Sequence, residues 1–125
     1  MKFEIVRTKR YGETVMGQLL ADGGYVADTC ENAKEMLPTG TYTIGITKVG
    51  KKVAYVGAAK GRSQQIGTAN GVYGKFRHKI MVGKAVCPGC LIDTQNHYNR
   101  LFERLRKAAA RGTTLTVEIK ERLTS

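Results

Sequence analysis

No acidic residue falls between Glu35 and Asp93, although Lys48, Lys51, Lys52, Lys60, Arg62, Lys75, Arg77, Lys79 and Lys84 all do. Over the whole chain 21 Lys and Arg face 10 Asp and Glu, a formal net charge of +11. A surface this lopsided either keeps the protein soluble or concentrates anionic partners such as nucleic acid, an acidic wall polymer or lipid headgroups. Cysteine is also scarce. Cys30, Cys87 and Cys90 are too few and too oddly numbered for the disulfide framework of a small secreted domain, and they fit a reducing compartment. No stretch approaches the roughly 20 apolar residues needed to span a bilayer, so no membrane partner is expected. The opening MKFEIVRTKRYG lacks an apolar signal core. The expectation is a protein that is cytoplasmic as synthesised, any export or release following another route. Repeats and low-complexity tracts are missing, and so is a phosphate-binding P-loop, because no glycine pair precedes Lys-Ser or Lys-Thr at the required spacing.

What is present describes a single domain over residues 1–125, a length with room for one core. Phe3 and Ile5 alternate with Lys2 and Glu4, Tyr11-Gly12-Glu13 marks a turn, and Val15 to Leu20 follows as a second strand. Ala21-Asp22-Gly23-Gly24 is a second turn and Tyr25 to Thr29 a third strand. Pro38-Thr39-Gly40 launches a strand in which Tyr42, Ile44 and Ile46 share one face. Gly50-Lys51 turns it back into Val53 to Val56. Residues 60–71 are mostly Gly, Ser, Gln, Thr and Asn, with Ile66 the one large apolar residue, and read as a long exposed loop. Val72 to Val82 reads as one bent strand or two.

A helix is expected from about Asn96 to Gly112, where Tyr98, Leu101, Phe102, Leu105, Ala108 and Ala109 recur at steps of three and four. Asn96 or Thr94 can cap its start and Gly112 suits a left-handed C-terminal cap. Arg100, Arg104, Lys107 and Arg111 form a basic ridge on its outer face, with Glu103 placed to pair with Lys107. Leu115, Val117 and Ile119 then alternate with polar residues in a last strand. The expected class is α+β and mainly β: a small antiparallel sheet or partly closed barrel with one C-terminal amphipathic helix packed on it.

Gly17-Gln18-Leu19, Asp22-Gly23, Asp28-Thr29-Cys30-Glu31 and Leu37-Pro38-Thr39-Gly40-Thr41-Tyr42 resemble, in that order, the opening of a bacterial and phage family known as a domain of unknown function. The run from Tyr98 to Ile119 resembles that family's closing helix and strand. Many members are similar to the catalytic domain of L,D-transpeptidases, β-rich cell-wall enzymes with a histidine upstream of a Gly-Cys pair. Gly89-Cys90-Leu91-Ile92 matches the Gly-Cys-aliphatic element. The histidine element departs from the pattern, since His78 is followed by Lys79-Ile80-Met81 and not by x-Gly-Asn. A branch of the family without the histidine, keeping a glycine near Gly83 and a Pro-Gly before an aliphatic residue, is the closer likeness. The resemblance therefore implies a non-catalytic binding or phage- or cell-wall-associated accessory module with a degenerate transpeptidase-like site. The first alternative is a cysteine-dependent peptidoglycan transpeptidase or peptidase, in which Cys90 is the nucleophile and His78 its base, His97 being the poorer candidate.

The second alternative is a nucleic-acid-binding protein. Lys75, Arg77 and Lys79, interleaved with Tyr73 and Phe76, and Arg100 and Arg104 on the helix are the expected anion-binding residues. The partner would be an anionic polymer, peptidoglycan or nucleic acid. Cys87-Pro88-Gly89-Cys90 has C-x-x-C spacing, but only Cys30, His78 and His97 remain to complete a zinc site and none lies at a second paired spacing. The surroundings are not the strand-to-helix junction of a thioredoxin-like motif. No metal and no cofactor is assigned.

Overall fold

In the computed structural model, which describes residues 2–47, 53–57, 63–68, 71–72 and 79–123, eight strands close into a barrel and one helix seals an end of it. The strands are β1 (Lys2–Tyr11), β2 (Thr14–Ala21), β3 (Gly24–Asn32), β4 (Gly40–Ile46), β5 (Ala54–Gly57), β6 (Ser63–Gly67), β7 (Gly71–Val72), β8 (Lys79–Cys87), β9 (Cys90–Ile92) and β10 (Thr116–Glu121). The helix α1 spans Thr94–Ala110. Around the barrel the order is β3-β2-β1-β10-β4-β5-β6-β8, and β8 returns to β3 through Asp28↔Gly83, Thr29↔Val82 and Cys30↔Met81. The sheet is thus fully closed. It is also mixed, since β1 pairs with β10 and β6 with β8 in parallel. Short β7 and the end of β8 flank β9, making a side sheet on the barrel wall.

Alternation decides which side chains enter the barrel. Phe3 and Ile5 of β1, Leu19 of β2, Ile44 of β4, Val56 of β5, Ile80 and Val82 of β8 and Val117 of β10 all point inward, where Leu101 and Leu105 of α1 meet them. They leave a residual cavity of only about 10 Å³, enough for a water and nothing larger. The helix closes this end because its stripe of Tyr98, Leu101, Phe102, Leu105 and Ala108 is buried in the same core. The Tyr98 hydroxyl is hydrogen-bonded to the backbone of Ala54 at the start of β5.

The opposite end is polar. Arg7, 1% exposed, donates from Nε and Nη2 to the two carboxylate oxygens of Glu31, also 1% exposed, at 3.1 and 2.9 Å. Arg7 Nη2 donates further to the Leu37 carbonyl at 2.6 Å, and Nη1 lies 3.5 Å from Glu121 of β10. The segment between β3 and β4 is thereby drawn over the barrel mouth, and Leu37 is buried in the core.

Several expectations need correction. Residues 63–67, taken for loop on composition, form β6, with Gln64 and Ile66 buried and Ser63 and Gln65 exposed. An amide occupies an inward slot there: its Nε2 donates to the Glu35 carbonyl, while its Oε1 is buried with no hydrogen-bond partner among the described residues. The N-cap of α1 is Asp93, in the left-handed region at φ 53, and Asn96 donates its side-chain amide to Asp93 Oδ1 in place of capping. Gly112 does adopt the left-handed conformation, at φ 75. Glu103 is engaged by Arg106 at 2.8 Å, one turn on at i+3, where Lys107 at i+4 was expected. The Gly50-Lys51 turn and Tyr73 and Phe76 lie outside the described residues.

Gly45 lies under an aromatic cover on the outer wall. It pairs with Tyr55 across β4 and β5, and the Tyr55 ring covers the space where a Cβ would stand. A side chain at position 45 needs only to swing the free end of this half-exposed ring into solvent, so Gly45→Val is expected to change stability by less than about 1 kcal/mol. Urea unfolding measures this, and a loss well above that figure would show that the ring is locked in place.

Candidate functional site

Two surface regions hold the chemistry that the sequence points to. The first is the β8–β9 hairpin, whose two-residue turn is Pro88-Gly89. Proline presets φ for the first turn position and Gly89, at φ 73, supplies the positive φ of the second, the pattern of a type II turn. Cys87 and Cys90 consequently face each other as a cross-strand pair. All three cysteines are free thiols: Cys87 exposed, Cys90 half-buried and Cys30 buried. Interaction with the Cys90 sulfur, and then desolvation, hold the Cys87 thiol above the ordinary thiol range. Cys90 also lies close enough to Cys30 to act on its ionisation.

Of the two proposed catalytic residues the structure places Cys90; His78 lies outside the described residues. His97 is buried in the first turn of α1, its Nδ1 2.8 Å from the Asp93 carbonyl oxygen and 3.4 Å from the Asp93 carboxylate. It is thereby fastened to its own helix start. Among the described residues no group of three His, Cys, Asp or Glu side chains is arranged to hold a metal ion.

The second region is a groove between α1 and the beginning of β3. Arg100, Arg104 and Lys107 line one side together with Asn99 and Glu103, and Tyr25 and Val26 line the other. Positions 100, 104 and 107 recur at helical spacing and so share a face, the one opposite the buried stripe. Arg100 is held 3.9 Å from Asp93, whereas Arg104 and Lys107 have no ion-pair partner among the described residues. Tyr25 is 51% exposed beside them. Partial burial, and then the charge of Asp28, push its phenol above the ordinary range, so the ring remains neutral.

The sequence-predicted anion-binding set divides accordingly. Arg100 and Arg104 come together in this groove. Lys79 opens β8 opposite Gln65, and Lys75 and Arg77 lie outside the described residues. Sequence reasoning missed Tyr25, because nothing local links it to a helix more than seventy positions away. It also missed the row formed by Met16, Cys30 and Met81, which is legible only once the register of β2, β3 and β8 is known.

The architecture is thus a closed, solid-cored barrel with its chemistry on the outside. No protein-family model, curated protein or solved structure matches the chain. The functional reading accordingly rests on the residues themselves.

Burial makes one of the thiols a reporter of the fold. Desolvation, followed by the charges of Glu31 and Cys90, pushes the Cys30 thiol up to about 12. An unfolded thiol ionises near about 8.5, so the unfolded chain loses this proton first. The contribution of Cys30 to stability is full below that value and is lost as pH rises toward 12. Urea midpoints should therefore fall more steeply above pH ~9 in the natural protein than in Cys30→Ala. Parallel pH profiles for the two proteins would contradict the burial assigned to this thiol.

Proposed function

We propose that the protein is a non-catalytic accessory module that binds an anionic polymer along the groove between Tyr25 and the exposed face of α1. One observation carries this reading: Arg100, Arg104 and Lys107 stand in a row beside an exposed aromatic ring on a rigid support. Cations on one helix face track a chain of negative charges, while a neutral ring offers a stacking surface that tolerates any base. The absence of acidic residues over the central third of the chain supports the same polarity by raising the local concentration of anions. The filled barrel interior favours a surface role over capture of a small molecule inside it.

In this reading the Gly89-Cys90-Leu91-Ile92 element is a degenerate counterpart of the L,D-transpeptidase motif. Cys90 sits half-buried on a hairpin, with other thiols as its described sulfur neighbours. Activating a cysteine nucleophile calls for a base within hydrogen-bond reach, and the His97 ring is engaged instead by Asp93 at its own helix start.

Fluorescence anisotropy with a labelled single-stranded oligonucleotide, run beside a sedimentation assay with purified peptidoglycan, tests the reading and separates the two polymers. Three phosphate contacts on a single strand predict a log-log salt slope of about −2. Combined replacement of Arg100, Arg104 and Lys107 by Ala should weaken binding to whichever polymer is retained, at unchanged far-ultraviolet circular dichroism. Tyr25→Ala should add about 1–3 kcal/mol of loss if bases stack on the ring. Salt-independent binding, or a triple variant that binds as tightly as the natural protein, removes the proposal.

A further inference from the structure

The outer wall of the barrel carries a sulfur-rich patch on a face distinct from the helix groove. Met16, Cys30 and Met81 sit side by side on three neighbouring strands, Met16 opposite Cys30 and Cys30 opposite Met81. With Leu91 they form a small buried cluster separate from the barrel core. The β8–β9 hairpin packs on this row through Leu91, pairs Cys87 with Cys90, and leaves Cys90 within electrostatic reach of Cys30. Five sulfur-bearing side chains from four strands thus gather at one place, in a chain with three cysteines and four methionines in all. Cys87 and Met16 both line an open groove beside it, as does Lys9.

We propose that Cys87 and Cys90 form a two-thiolate binding site for a soft monovalent cation of the copper(I) class. Thiolate and thioether ligands select soft ions, and copper(I) is satisfied by two sulfurs, whereas structural zinc takes four ligands. A pair with no third described His, Cys, Asp or Glu at ligand distance therefore suits the former and falls short of the latter. The type II turn presets the spacing, so the site exists before the ion arrives. Cys87 is exposed, which gives the ion a path of entry, while the buried Cys30, Met16 and Met81 make the neighbouring barrel wall polarisable and poor in water. Binding replaces two S–H protons by one cation: both protons leave to solvent, and the resulting bis-thiolate carries one net negative charge beside Lys9. No electron is transferred.

The test uses the full chain, reduced and kept anaerobic, competing for copper(I) with bicinchoninate as the coloured probe. One copper per chain should be withdrawn from the probe. Cys87→Ser and Cys90→Ser should each weaken capture by more than about a hundredfold, because each removes one of two ligands. Cys30→Ala, which leaves both ligands in place, should cost about tenfold or less. Cys87 is exposed, so Cys87→Ser decides the matter even if Cys90→Ser fails to fold. The proposal is overturned if the natural protein takes no copper from the probe, if Cys87→Ser captures it undiminished, or if the pair holds zinc in preference to copper(I).

Discussion

One buried ion pair, Arg7 with Glu31, ties together the polar end of the barrel. A guanidinium and a carboxylate, each almost wholly removed from water, would be costly alone. They are tolerated because two parallel hydrogen bonds join them and the spare Arg7 donors reach the Leu37 carbonyl and Glu121. One side chain on β1 therefore touches β3, the segment leading to β4, and β10. These are the elements that must stay together for the β3–β8 seam, only three residue pairs long, to hold the barrel closed. A hydrophobic plug at the helix end and a charged clasp at the other give the two mouths different chemistries.

With both mouths sealed and only a water-sized cavity left, the interior is structural. What the barrel contributes to function is rigidity. It presents the Arg100, Arg104 and Lys107 face at a fixed distance from Tyr25, and it aligns three strands so that scattered sulfur residues become one row. Both regions are held by strands, a helix and one tight turn. The order needed for recognition is then met by folding and not by the partner.

The parts of this molecule that were legible in the sequence are those whose signal is local. The stripe from Tyr98 to Ala108 named both the helix and its buried face, and Gly112 named its end, because period and cap chemistry lie within one segment. The turns at Gly12 and Asp22-Gly23 were readable for the same reason. Strand β6 was not, since Ser63-Gln64-Gln65-Ile66-Gly67 looks polar and only a carbonyl on the distant Glu35 makes Gln64 an interior residue. Arg7 likewise looks like one more surface cation until barrel closure turns it inward, where it reaches past β2 to Glu31 on β3. The candidate sites divide along the same line. The basic ridge was visible as a helical pattern, whereas its aromatic partner and the sulfur row depend on which strands lie side by side. Parallel pairing of β1 with β10, the first and last strands, is a long-range event that no window of sequence contains.

A double-mutant cycle on Arg7 and Glu31 tests the central claim most directly. Arg7→Met and Glu31→Leu, singly and together, would be compared with the natural protein by urea unfolding. If the pair is the clasp that closes the barrel, each single variant strands a buried charge and loses about 3–5 kcal/mol, while the double variant loses less than either. Single variants within about 0.5 kcal/mol of the natural protein, or losses that simply add, would mean that the barrel closes without it.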